Sequence, residues 1–208
     1  MRGQKWKVKK DPVKASCIRH RLSNTVYSGN DDTIRLFPDD ADGQNKNTIV
    51  ITVLLTEAPK NIKTILLHFP VPGHSYIPSD SVFGVVERKV RKIENIIHLN
   101  EYIEIFKESG TVTRVGLDFE VHDWKIATEV AVKKPSNWHF QYFPCKRFIF
   151  QRGRNNVGLV QGEVAYTIDL GVPCSIAKKG QRVGNFSPRT KVNSVPLNPN
   201  KLKDFKSY

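Results

Sequence analysis

Asn47-Thr48-Ile49-Val50-Ile51-Thr52-Val53-Leu54-Leu55 is apolar nearly all round, and its reading as helix or strand decides the fold. Periodicity does not separate the two, since a helix and a strand buried on every side both read as unbroken apolar runs. Its β-branched content favours strand. Its neighbours favour helix: Thr33-Ile34-Arg35-Leu36-Phe37 before it and Lys63-Thr64-Ile65-Leu66-Leu67-His68-Phe69 after it are strand-like. Parallel neighbouring strands need a crossover between them, usually a helix. We therefore assign 47–55 to a helix between parallel strands.

Working outward, Pro70-Val71-Pro72-Gly73 closes the second strand, and a helix begins at Ser79 or Asp80. Val82, Val85, Val86, Val90 and Ile93 form its apolar stripe, and Asp80, Gly84, Glu87 and Arg91 lie opposite. A short helix follows over 100–109. Beyond Gly110, residues 112–119, 138–143, 147–151 and 157–164 read as strands, with a helix over 121–132. The resulting class is α/β: a partial mixed sheet with flanking helices over 22–109, and a β-rich extension of the same domain over 110–174. In open α/β sheets, binding and chemistry sit at the carboxyl ends of parallel strands. Here Asp39-Asp40-Ala41-Asp42-Gly43, and then His74 and Asp80, mark that edge.

The formal net charge of +13 on 208 residues is unevenly placed. Residues 1–21 and 176–208 sum to +7 each, leaving 22–175 at −1. We read 1–21 as a basic tail and 175–208 as a disordered basic tail, suited to nonspecific contact with DNA or RNA. Cys17, Cys145 and Cys174 are too widely spaced for a zinc site or a disulfide framework, which points to an intracellular, reducing compartment and, with the basic ends, to the nucleus. The chain shows no signal-peptide pattern, and no apolar run approaches the ~20 residues of a membrane span.

Two motifs carry a resemblance. Gly43-Gln44-Asn45-Lys46-Asn47 and Phe69-Pro70-Val71-Pro72-Gly73-His74-Ser75-Tyr76-Ile77-Pro78-Ser79-Asp80-Ser81-Val82-Phe83-Gly84 resemble the signatures of an uncharacterised invertebrate domain family descended from DNA transposons. The likeness runs on through Glu101-Tyr102, Trp138-His139-Phe140 and Arg147-Phe148, covering roughly 16–184. It implies a ribonuclease H-like core of the DDE-transposase kind, in which carboxylates hold two divalent metals about 3.5–4 Å apart for phosphodiester chemistry. Asp39 and Asp80 would then be the ligands of Mg²⁺ or Mn²⁺, with Glu87 as a third catalytic candidate.

The resemblance is incomplete. Ala41-Asp42-Gly43 stands where the family has Cys-Gly-Gly, and nothing before Thr33 reads as the opening hairpin that carries the first acid. The chain thus reads as a truncated, divergent and catalytically inactive copy. The candidate nucleic-acid contacts are Lys46 at the polar helix start and Lys146, Arg147, Arg152 and Arg154 beside the aromatic run Trp138 to Phe143. Simpler readings stand beside these: Asp39 as a turn residue, Asp80 as a helix cap, Glu87 paired with Arg91, and the aromatics as core. The alternatives are an active metal-dependent phosphodiesterase drawing its missing acid from Asp118 or Asp123, and a domesticated protein-binding scaffold.

Overall fold

The structure, a computed structural model, describes residues 12–24, 32–38, 46–58, 60–71, 78–153, 157–182 and 188–191, with 12–13 and 78–80 given by their backbone alone. The apolar run after Asn47 forms helix α2, Thr48–Glu57. Asn47 caps it, its side chain accepting a hydrogen bond from the Val50 N–H at 2.9 Å. Two threonines inside this apolar helix satisfy their hydroxyls locally: Thr52 donates to the Thr48 carbonyl at 2.7 Å and Thr56 to that of Thr52 at 2.8 Å. Every residue from Ile49 to Leu55 is buried. A helix buried all round needs no amphipathic stripe.

Helix α2 joins β1 (Thr33–Leu36) to β2 (Thr64–His68), which pair in parallel with Ile34 opposite Ile65 and Leu36 opposite Leu67. The sheet continues antiparallel through β3 (Arg147–Arg152) and β4 (Gly158–Glu163), in the order β1-β2-β3-β4. The class is therefore α/β, with a four-stranded mixed sheet and five α-helices among the described residues. Partners in neighbouring strands share a face. Ile34, Ile65, Phe150 and Val160 form one row and Leu36, Leu67 and Phe148 the next, and Val50, Ile51, Leu54 and Leu55 of α2 pack on them. At about 25 cal/mol per Å² of buried apolar surface, this layer is the main stabilising contribution.

Outside α2 lie α1 (Pro12–Asn24) and α5 (Trp124–Ala131). Helix α1 corrects the basic-tail reading of 12–21. Ala15 and Leu22 are buried and Ile18 packs on them, an apolar line that the surrounding cations hide in the sequence. Ser16 accepts a hydrogen bond from the His122 N–H at 3.0 Å, and Arg19 pairs with Glu57 at 3.2 Å. Trp124 and Val53 are fully buried between these helices.

The other end of the chain needs the same correction. Ile176 is completely buried, Ala177 bridges Val132, and Thr190 bridges His122, with the Lys191 N–H donating to the Val121 carbonyl at 2.7 Å. Two strands expected in 110–174 are also absent. Residues 112–119 form a turn around Gly116, closed by a single Val115–Phe119 bridge. Residues 138–143 form an aromatic cluster in which Trp138 and Tyr142 meet edge to face and Tyr142 stacks on Phe148. Aromatic enrichment there serves the core.

The expected stripe on α3 (Pro78–Val90) is mostly uncovered: Val86 is buried, but Val82, Val85 and the neighbouring Phe83 are exposed. This helix packs on α4 (Leu99–Lys107) through an edge-to-face contact of Phe83 with Phe106 and a Lys89–Glu108 ion pair.

Candidate functional site

The parallel pairing of β1 and β2 sets their carboxyl ends side by side, and there the polar face of the sheet carries a row of unlike groups. His68, Arg147 and Glu163 are cross-strand partners on β2, β3 and β4. Phe37, just past β1, stacks on His68 with ring centroids 5.2 Å apart. Burial, followed by the charges of Arg147 and Arg35, holds the His68 imidazole below its ordinary value, so the ring is neutral at physiological pH.

Arg147 and Glu163 are both buried, and they secure the segment that follows β4. The Arg147 guanidinium donates to the carbonyls of Ala165 at 2.8 Å and Ile168 at 2.9 Å and pairs with Asp169. Glu163 accepts from the Gln161 amide at 2.5 Å and from the N–H groups of Gly171 at 2.7 Å and Leu170 at 3.1 Å. Burial alone would raise the Glu163 carboxyl; these hydrogen bonds and the Arg147 charge outweigh it, and the net shift is downward. Tyr166 then ties the segment back to β2 by donating to the Phe69 carbonyl at 2.9 Å.

Most of the cations singled out in the sequence are committed to such internal tasks. The Lys46 ammonium donates to the carbonyls of Phe143 and, at 2.6 Å, Cys145, and sits over the Phe69 ring. Arg147 is only 6% exposed, and Arg152 donates to the Ala58 carbonyl at the end of α2. These three are turned inward, because carbonyls left at loop ends and helix ends need donors. Lys146 is exposed, with its ammonium over the Tyr166 ring. Arg154 lies outside the described residues, as do Asp39, the residues 43–45 and His74.

Asp80 falls in the first turn of α3, placed there by its backbone. Glu87 is exposed and pairs with Arg91 at 2.6 Å, as its i,i+4 spacing suggests. Asp118 accepts from the Arg114 N–H at 2.6 Å, and Asp123 caps α5 by accepting from Ile126. Both acids offered by the phosphodiesterase alternative thus have local structural partners. The Cys145 thiol, pushed up to about 11 mainly by burial, stays protonated and is no nucleophile at neutral pH.

Among the described residues, no three His, Cys, Asp or Glu side chains converge to hold a metal. At the edge itself the described carboxylates are engaged, and Arg35 and Arg147 add positive charge. The described part of the edge therefore does not by itself fit Mg²⁺ or Mn²⁺.

The sequence reading missed His68 and Phe37. Their signal was a polar residue closing an apolar strand, beside an aromatic closing its neighbour. Among the described residues no helix is long and apolar enough to cross a membrane. The chain matches no family model, no curated protein and no solved structure.

Proposed function

We propose that the chain is a transposable-element-derived, ribonuclease H-like domain that engages nucleic acid and does not cleave it. One observation carries the reading: β1 and β2 are parallel neighbours joined by α2, and the two motif segments follow them in the chain. A metal-dependent nuclease of this architecture would carry its acids on that edge. The sheet also combines a parallel pair with an antiparallel pair, as a ribonuclease H-like sheet does, although here the antiparallel strands come later in the chain. Among the described residues β1 pairs only with β2, and none of them supplies a strand that would bring the first acid. The net charge of +13 supports a polyanionic partner.

The test is made on the purified full chain. A labelled 20-base-pair duplex should bind with strong salt dependence, and neither duplex nor single-stranded DNA should be cut in millimolar Mg²⁺ or Mn²⁺. Metal-dependent cleavage that Asp39→Ala abolishes would replace this reading with an active phosphodiesterase. Absence of DNA binding at low salt would leave the protein-binding scaffold.

A further inference from the structure

We propose that Lys134, Lys179 and Arg182 form a fixed phosphate-binding surface at the carboxyl end of α5, and that nucleic acid docks there. The inference rests on the nucleic-acid part of the reading above and gives it a place.

Residues 131–140 and 173–182 are distant in sequence, contain five cations between them, and contain no acid. The fold brings them together. Val132 and Ala177 form an antiparallel bridge, flanked by hydrogen bonds from the Lys133 N–H to the Ile176 carbonyl at 2.9 Å and from the Lys178 N–H to the Ala131 carbonyl at 2.8 Å. Buried Val132, Ile176 and Trp138 anchor both segments, and the Trp138 indole N–H donates to the Lys133 carbonyl at 2.9 Å. The second segment then turns at Gly180, whose φ of 79° suits glycine, with the Gln181 N–H donating to the Lys178 carbonyl at 3.0 Å. This turn sets Lys178, Lys179 and Arg182 around one corner.

Two of the five cations have structural work. Lys178 donates to the Glu129 carbonyl in the last turn of α5 at 2.6 Å, where a cation also complements the helix dipole, and Lys133 reaches the Ser175 carbonyl at 3.5 Å. Lys134, Lys179 and Arg182 are exposed, and among the described residues none pairs with a carboxylate.

Uncompensated like charges held on a fixed backbone repel one another until an anion arrives. The surroundings favour a hydrophilic polyanion over a lipid surface. Ser136, Asn137 and Gln181 are exposed polar groups beside the cations; the two segments expose no large apolar side chain, and the exposed valines that border them, Val130 and Val172, are too short to insert deeply between lipids. Phosphate and sugar oxygens take contacts of this kind from Lys, Arg, Ser, Asn and Gln.

The experiment compares two charge-matched triple variants of the full chain on a labelled 20-base-pair duplex from 50 to 200 mM salt. One is Lys134→Glu/Lys179→Glu/Arg182→Glu; the other, Lys60→Glu/Arg88→Glu/Lys92→Glu, makes the same charge change at exposed cations outside the two segments and the basic ends. Thermal melts check that both fold, and Lys134→Gln/Lys179→Gln/Arg182→Gln replaces the first if it does not. The expected result is at least about tenfold weaker binding for the first variant, with its log–log salt slope shallower by about 2.7, or about 0.9 per phosphate lost. The second variant should keep its slope within about one contact of the starting chain. Equal weakening by both variants, or an unchanged slope in the first, overturns the placement while the nucleic-acid reading stands. No duplex binding by the unaltered chain overturns both. Tighter binding to polyglutamate, or to phosphatidylserine vesicles, than to the duplex assigns the surface to an acidic protein or a membrane and overturns the proposal.

Discussion

Gly162 occupies the β4 position opposite Phe148, where Phe140 crosses the strand. A methyl group placed there would lie 2.3 Å from the Phe140 ring and 2.7 Å from the Cys145 sulfur. Gly162→Ala should therefore destabilise the protein by about 1–3 kcal/mol, read from a denaturant titration, as overpacked cores do; an unchanged midpoint would show that the aromatic cluster moves aside freely. Glu163, one residue on, tests the polar side of the sheet. Three donors converge on its carboxylate, and an amide can accept at only one of its two ends. Glu163→Gln should cost about 1–3 kcal/mol at pH 7. The sign with pH follows from a folded-state value below the ordinary 4.5. The contribution is complete above 4.5 and is lost as pH falls through the lower folded value, because the unfolded chain takes up the proton first. The starting protein should lose stability over that range more steeply than Glu163→Gln; parallel curves would remove Glu163 from the acid response.

Helix α2 shows what the residues alone settle and what they do not. The strand-like flanks were legible and overrode the β-branched content of Ile49 to Val53, whereas Asn47 as the cap is a finding of the structure. Asn47→Ala should lower stability by about 1 kcal/mol, and a smaller loss than for an exposed alanine control would deny the cap its role. By contrast, α1 was hidden. Its three apolar positions lie among lysines and arginines, and their value depends on α2 and on the 121–124 segment, which local pattern does not reveal. The strands expected over 112–119 and 138–143 failed for a related reason. Aromatic and β-branched residues fit a pleated surface, but they equally fill a core from an irregular segment. Of the candidate edge, the strand ends were legible from the breakers that follow them, while the inward use of Lys46, Arg147 and Arg152 was not. A cation that satisfies distant carbonyls has the same sequence signature as one that faces solvent.

Segments near both ends of the chain are bound into the same body. Composition assigned 175–208 to disorder because it is rich in lysine, proline, asparagine and serine with few apolar residues, yet a single isoleucine, Ile176, enters the core with no exposed surface. Ile176→Ala should cost about 2–5 kcal/mol and lower the melting temperature of the whole domain in one transition. A second, earlier transition, or amide exchange at Lys133 and Lys178 unlike that of β3, would mean that this segment opens independently.

The burial of α2 on every side has a consequence for synthesis. Its lining from β3, β4 and α5 is encoded roughly 70 to 105 residues after Leu55. At about 5–20 residues per second, a ribosome takes on the order of 5–20 s to supply that lining. During this interval the nascent chain displays a continuous apolar, β-branched run that only α1, β1 and β2 are there to cover, the kind of segment that chaperones hold and that otherwise aggregates. Heterologous yield should therefore depend on what happens to residues 49–55 before β3 and β4 are made.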